Sequence, residues 1–164
     1  MDLIVEFFRH NTMMNQRLLE ACRALTTAQF AASATGTYGD IGATLTHIAN
    51  SQVGYARALL DLERIQPLPE SPFPGMDSVV ERMALGNAQL EKAAAAHQER
   101  EVEVTGDDPP GMWRMPVSLF LLQAINHGTE HRSQIATILT QIGIEPPPMD
   151  GWTYFDESGQ LIPT

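Results

Sequence analysis

Two histidines stand four residues apart in the longest apolar-periodic stretch of the chain. They are His127 and His131, in the segment Asn126-His127-Gly128-Thr129-Glu130-His131-Arg132. In an α-helix, residues four apart lie on one face and one turn apart, so both imidazoles would be aimed at the same point. This pattern offers two nitrogen ligands to a metal ion and raises the question of what supplies a third.

The elements that must position these histidines follow from the apolar periodicity, which predicts four long helices. Asp40 is a candidate N-cap for the second helix, Ser78-Val79-Val80-Glu81 resembles a capping box in the third, and Pro116 fits the first turn of the fourth. Ile65 to Met76 is too rich in proline for a helix and too apolar for a free linker, which predicts an ordered crossover loop. The helices are expected at residues 3–25, 41–64, 78–97 and 116–143.

Two further segments complete the expected fold. Glu101–Thr105 and Gly111–Met115 carry a signal for a short hairpin before the last helix. The tail, residues 149–164, contains Trp152, Tyr154 and Phe155, and aromatic residues at this density should pack back onto the helices. We therefore predict one all-α domain spanning residues 1–164, an antiparallel four-helix bundle with a crossover loop and an ordered C-terminal tail.

His47 is the natural third ligand. Metal sites in helix bundles are built in the core from side chains on facing helices, and His47 is the only other histidine that falls inside a core stripe. His10 has no partner at ligand spacing, and His97 lies near a helix C-terminus that favours an imidazolium, so structural roles are expected for both. The stripe of His47 leaves room either for a ligand or for close helix packing, because its other members are small: Thr44, Ser51, Gly54 and Ala58.

Composition excludes several classes of function. The 164-residue chain has a formal net charge of −10, Lys92 is its only lysine, and its arginines are scattered one to a segment. Nucleic acid and anionic membranes are therefore not expected partners, since both need clustered cations. Cys22 is the only cysteine, which excludes a disulfide scaffold and a thiolate-rich zinc cluster. No basic leader and no apolar run of about 18 residues is present, which favours a cytoplasmic location.

Two segments carry a family resemblance. Thr44-Leu45-Thr46-His47-Ile48-Ala49 and the stretch from Asn126 to Ile135 resemble the second-helix and fourth-helix signatures of the DinB-like superfamily of metal-dependent bundles, in the branch likened to YfiT. Leu139-Thr140-Gln141-Ile142-Gly143, followed by prolines and Asp150, is also typical of that superfamily. The chain departs from the usual pattern at Glu130, where most members have a second histidine, and at Ser133, where they have glycine.

The resemblance implies a divalent metal bound by His47, His127 and His131, and a homodimer. Members with known activity use low-molecular-weight thiols, as S-transferases or as a mycothiol-dependent isomerase. Zinc or nickel held by three imidazoles keeps open positions and would lower the pKa of a thiol or of water, so S-transfer or hydrolysis of a small molecule is expected. Glu130 is a candidate proton acceptor on a different face, and Gln134 a candidate hydrogen-bonding partner.

Two other functions are compatible with these residues. His127 to His131 also matches the H-x-x-E-H pattern of inverted zinc peptidases, with Glu130 as the base. Those enzymes need a further acidic ligand downstream, and only 33 residues follow His131. The alternative is a non-catalytic dimeric bundle with a structural metal, which usually has four protein ligands. Three apolar residues beside the main stripe could serve as a second core face or a dimer contact: Leu119, Leu122 and Ile125.

Overall fold

The computed structural model describes residues 2–107 and 110–160, and this part of the chain is mostly helical. The long helices are α1 (Leu3–Cys22), α3 (Ile41–Leu60), α4 (Met76–Ala95) and α5 (Val117–Gln141). The short helix α2 (Thr27–Phe30) lies between α1 and α3, and an antiparallel pair of strands, β1 (Glu101–Asp107) and β2 (Pro110–Pro116), lies between α4 and α5. A second short helix, α6 (Gly151–Glu157), follows α5. None of the helices in the described ranges is long and apolar enough to cross a membrane.

The four long helices pack around two apolar clusters, one toward each end. α1 and α3 each pack against both α4 and α5. Along α1, Thr12 contacts Glu91 and Asn15 contacts Asn87, so α1 and α4 run in opposite directions. Along α3, His47 contacts His127 and Tyr55 contacts Phe120, so α3 and α5 also run in opposite directions. However, the N-terminal halves of α3 and α4 share one apolar cluster and their C-terminal ends share the other. These two helices therefore run parallel, and so do α1 and α5, whose N-terminal parts share the second cluster and whose C-terminal parts share the first. The prediction of a wholly antiparallel bundle was wrong for these two pairs, because the crossover loop returns the chain to the end at which α3 began.

The helix ends differ from the predicted ones for local reasons. Asp40 caps α3 as predicted, accepting from the N–H of Ala43 at 2.7 Å. The helix ends at Leu60, because Asp61 adopts a left-handed conformation with φ 53°. α4 begins at Met76 after Gly75, so Ser78 lies inside the helix and the predicted capping box does not form. α1 also ends earlier than predicted, at Cys22.

The crossover loop between α3 and α4 is held by side chains from both helices. Asn50 of α3 donates to the carbonyl of Leu68 and accepts from the N–H of Leu68, each at 2.9 Å. Arg82 of α4 donates to the carbonyl of Gln66 at 3.0 Å. Phe73 reaches the core, where it lies so close to α3 that a Cβ at Gly42 would be 3.0 Å from its ring. The loop is therefore ordered, as its apolar composition predicted.

The hairpin and the tail follow the predictions in part. β1 pairs with β2 so that Val102 faces Met115, in a hairpin longer at both strands than predicted. In the tail, Tyr154 is buried and its hydroxyl donates to Glu6 at 2.6 Å, as expected for an aromatic residue packed on the bundle. Trp152 is 76% exposed, so the same expectation was wrong for that residue. Residues 161–164 of the predicted tail lie outside the described residues.

A polar network crosses the bundle between the two apolar clusters; we call it the amide–arginine network. The guanidinium of Arg132, which is 3% exposed, donates to Oδ1 of Asn11 at 2.6 Å and of Asn15 at 2.9 Å. The amide nitrogens of Asn11 and Asn15 then donate to Gln52, and that of Asn15 also to Asn87. Burial lowers the pKa of Arg132 to about 10, which still leaves the side chain charged at neutral pH. All four long helices contribute to this network.

Candidate metal centre

The three predicted ligands come together between α3 and α5; we call them the histidine cluster. The potential ligand nitrogens of His47, His127 and His131 all lie within 4.8 Å of one another. Nε2 of His47 is 3.0 Å from Nε2 of His127, across 80 residues of sequence. His131 is buried and the other two are half-buried. The helical spacing of the pair on α5 and the core position on α3 thus produce one compact group.

Hydrogen bonds orient two of the rings. Nδ1 of His47 lies 3.0 Å from Oε1 of Glu70, and Nδ1 of His131 lies 2.9 Å from Oε1 of Gln134. An acceptor at Nδ1 favours the tautomer that carries its proton there, which leaves the lone pair on Nε2. In metal sites, such carboxylate and amide partners fix the ring and increase the basicity of the ligand nitrogen. Glu70 and Gln134 therefore prepare His47 and His131 as nitrogen donors.

Tyr38 covers the cluster and ties its parts together. Its ring stacks on His47 with centroids 4.1 Å apart and meets His131 edge-on at 5.2 Å. Its hydroxyl donates to Glu70 at 2.8 Å, and its backbone N–H donates to Gln134 at 3.0 Å. Burial, followed by the neighbouring Glu70 carboxylate, raises the pKa of Tyr38 to about 12. Tyr38 is therefore a protonated donor at neutral pH that shields one side of the cluster from water.

The electrostatics keep His127 neutral. Burial, followed by the charges that His131 and His47 would carry, lowers the pKa of His127 to about 4. Neutral imidazole is the form that binds a metal. On its outer side, His127 meets the ring of Tyr55 edge-on, with centroids 5.6 Å apart.

The residues present fit a divalent cation. Two imidazole lone pairs about 3 Å apart repel each other unless a proton or a cation lies between them. Metal–nitrogen bonds of about 2.0–2.1 Å, at angles from a right angle to tetrahedral, separate two nitrogens by about 2.8–3.4 Å. The separation of 3.0 Å between His47 and His127 lies within that range. A set of three imidazoles suits zinc, nickel, copper or iron better than magnesium or calcium.

Glu130 does not belong to this arrangement. It is exposed, and it is not one of the grouped residues. The roles of Glu130 as proton acceptor and as base of a zinc peptidase stay predictions. Ser133, the other departure from the family pattern, is also exposed. Gln134, by contrast, makes the predicted kind of hydrogen bond.

Glu70 is the residue that the sequence did not reveal. It lies in the crossover loop, where no periodicity indicates which side chains point inward. The available signal was an acidic residue in an apolar loop that follows the helix of His47.

Both histidines predicted to be structural lie outside the cluster: His10 contacts the ring of Tyr154, and His97 follows the end of α4.

Comparison with known proteins agrees with this fold. A search of curated proteins finds no match. A crystal structure of a DinB-like protein from Bacillus cereus ATCC 10987 superposes with a TM-score of 0.67 at 18% identity, covering 88% of this chain and 94% of that one. The model of the DinB family matches residues 1–160, nearly the whole sequence. The chain belongs to the DinB family.

Proposed function

We propose that His47, His127 and His131 bind a divalent cation, zinc or nickel, and that the site activates a low-molecular-weight thiol or water for attack on a small electrophile. The observation that carries the proposal is the convergence of three imidazole nitrogens within 4.8 Å, supported by partners on the outer nitrogens of two rings. The reaction would be S-transferase-like or hydrolase-like.

Each neighbouring residue has a defined task in this proposal. Glu70 holds the proton on Nδ1 of His47, and Gln134 does so for His131, so the Nε2 lone pairs stay directed at the cation. His127 stays unprotonated because of its burial. A divalent cation held there supplies Lewis acidity, which lowers the pKa of a thiol or water and produces a nucleophile near neutral pH.

Two observations favour a reactive site over a structural one. The group contains three ligand residues among those described, and structural zinc sites usually have four. A groove of about 340 Å³ also runs beside the cluster, lined by Tyr55, Ser51 and Phe120 among others. Tyr55 is the residue that contacts His127. In this proposal a small molecule would approach the cation from the groove, past Tyr55.

The remaining expectations about assembly and location are part of the proposal. Leu119 and Leu122 on α5 are 49% and 56% exposed, which supports an apolar contact with a second copy of the chain. Ile125 instead packs partly against the core. A thiol-using site suits the reducing cytoplasm, and Cys22 is free.

Metal analysis tests the ligand assignment. After washing with a chelator and reloading with zinc or nickel, the wild type should hold about one ion per chain, and His47→Ala should bind it roughly 100-fold more weakly or worse. His97→Ala, which removes a histidine outside the cluster, is the matched control and should behave like the wild type. Equal metal binding by His47→Ala and the wild type would show that the assignment is wrong.

Turnover tests the chemistry separately. The metal-loaded wild type should consume a small thiol in the presence of an electrophile, or hydrolyse an activated ester, and the chelator-treated protein should do neither. A protein that binds one ion tightly and shows no turnover with either nucleophile would instead be a non-catalytic metal-binding bundle.

A further inference from the structure

Three arginines that are far apart in the sequence surround one cavity. Arg57 lies in the last turn of α3, Arg64 in the crossover loop and Arg82 on α4. The cavity has a volume of about 490 Å³, and no carboxylate is among its lining residues in the described part of the chain. This corrects the expectation that the arginines are scattered: they are separate in sequence, but three of them converge in space. The volume is in the range of small-molecule sites.

Within residues 2–107 and 110–160, no carboxylate forms an ion pair with any of these three arginines. Arg57 and Arg64 form no ion pair with any described residue, and Arg82 donates only to the carbonyl of Gln66 and, at 3.5 Å, to Asn50. Arg57 and Arg64 are exposed and Arg82 is half-buried, so the cavity presents three cationic side chains with no carboxylate among its described lining residues. Four arginines elsewhere do pair with glutamates: Arg9, Arg17, Arg23 and Arg114.

The cavity is continuous with the groove beside the histidine cluster. Both are lined by Gly54, Arg57 and Thr105. Gly54 follows His47 by seven residues on α3, which places it on the same face and about 10 Å along the helix axis. A Cβ at Gly54 would meet no atom within 4 Å, so this small residue leaves open space instead of permitting close helix packing. A small molecule bound at the arginines could therefore extend along the groove to Tyr55, which contacts His127.

We infer that this cavity binds the carboxylate or phosphate group of a small molecule. Guanidinium groups bind both anions through paired, charge-assisted hydrogen bonds, and Asn50 and Thr105 add polar side chains to the same lining. The anion is the anchor of the reactant whose other end reaches the histidine cluster; this last step rests on the proposed function, whereas anion binding itself does not.

Calorimetric titration of the full chain, depleted of metal and at low ionic strength, tests the inference with inorganic phosphate and with succinate as probes. Both probes offer an oxyanion to the guanidinium groups. The probe that binds with the lower dissociation constant shows whether the cavity prefers phosphate or carboxylate. Arg57→Gln/Arg64→Gln should weaken binding of the preferred probe about tenfold or more. Arg23→Gln/Arg114→Gln removes the same number of positive charges at exposed sites elsewhere, and its affinity should match that of the wild type.

His47→Ala separates this inference from the proposed function. The variant should bind the probe like the wild type, since its arginines are intact. Loss of anion binding in His47→Ala, equal affinities in the two double arginine variants, or no binding of either probe to the wild type would overturn the inference. If the wild type binds no metal but the arginine-dependent anion binding persists, the metal centre is refuted and the anion site is supported.

Discussion

The amide–arginine network and the histidine cluster place polar side chains in the same bundle, and they complete their hydrogen bonds differently. In the network, the Arg132 guanidinium meets amide oxygens, and the amide nitrogens meet further amides. In the cluster, partners satisfy the outer Nδ1 atoms of His47 and His131, while Nε2 of His47 faces that of His127. The network joins each polar group to a different kind of partner within the protein, whereas the cluster directs imidazole nitrogens of the same kind at one point, as metal ligands are directed.

The two regions also differ in what surrounds them. The network joins all four long helices, and glycines bring the helices close: a Cβ at Gly128 would lie 2.9 Å from Oδ1 of Asn11, and one at Gly86 would lie 2.8 Å from Cβ of Gln52. The cluster draws its histidines from two helices and is completed by the crossover loop, next to an open groove. The network should therefore determine the stability of the bundle, and the cluster its binding properties.

Removing the centre of the network should have the largest effect. Arg132→Met keeps much of the side-chain volume but leaves the amide oxygens of Asn11 and Asn15 buried without their donor. We expect a loss of about 2–4 kcal/mol in the free energy of unfolding, measured by urea denaturation of the metal-free protein. His127→Met should cost about 1 kcal/mol or less under the same conditions. The comparison would fail if His127→Met proved the more destabilising of the two.

Changing the carboxylate beside His47 should affect binding without affecting the fold. Glu70→Gln weakens the acceptor for Nδ1 of His47, so metal affinity should fall about 10- to 100-fold. The free energy of unfolding without metal should change by less than about 0.5 kcal/mol. Glu63→Gln, an exposed change in the same loop, is the control for charge. Unchanged metal affinity in Glu70→Gln would show that the carboxylate does not support the site.

The smallest effect on stability is expected from Glu6, a third polar site, whose hydrogen bonds are satisfied by the protein as they are in the amide–arginine network. The hydrogen bond from Tyr154, with smaller contributions from Gln160 and Arg9, lowers the pKa of Glu6. Because the folded pKa lies below the unfolded one, the carboxylate stabilises the fold above its unfolded pKa, and this contribution disappears as pH falls through the folded value. Unfolding free energies of the metal-free protein between pH 7 and pH 3 should therefore decline less steeply in Glu6→Gln.

The exposed pair of Glu20 and Arg23 supplies the control for that measurement. Glu20→Gln should leave the pH dependence close to that of the wild type, since an exposed ion pair contributes little. If the unfolding free energy of Glu6→Gln declined with falling pH as steeply as that of the wild type, the tail would be held by the apolar contacts of Tyr154 and not by the carboxylate.

The sequence predicted the parts of this molecule that depend on periodicity. The spacing of His127 and His131 and the core position of His47 identified residues that the structure brings together. Helix boundaries were less accurate because they depend on single backbone conformations, such as the left-handed φ of Asp61. Glu70 and the arginine cavity were not predicted, since both depend on the path of the crossover loop, which has no repeating pattern.

The network was also missed, for a different reason. Asn11, Asn15 and Gln52 look like ordinary polar residues of amphipathic helices, and Arg132 looks like a surface charge beside the histidines. The useful signal was Gly128, because glycine inside a helix costs about 1 kcal/mol relative to alanine and so usually has a packing reason. Here the reason is the close approach of Asn11 and Arg132.

The hydrogen bonds that anchor the crossover loop connect the arginine cavity to the histidine cluster. Arg82 lines the cavity, and it also holds the carbonyl of Gln66, while Asn50 holds Leu68, two residues before Glu70. An anion that draws Arg82 toward itself would pull on the same short stretch of backbone that sets the distance between Glu70 and His47. Binding of an anion at the arginines would then change the position of Glu70, and with it the orientation of His47, through the backbone between Gln66 and Glu70.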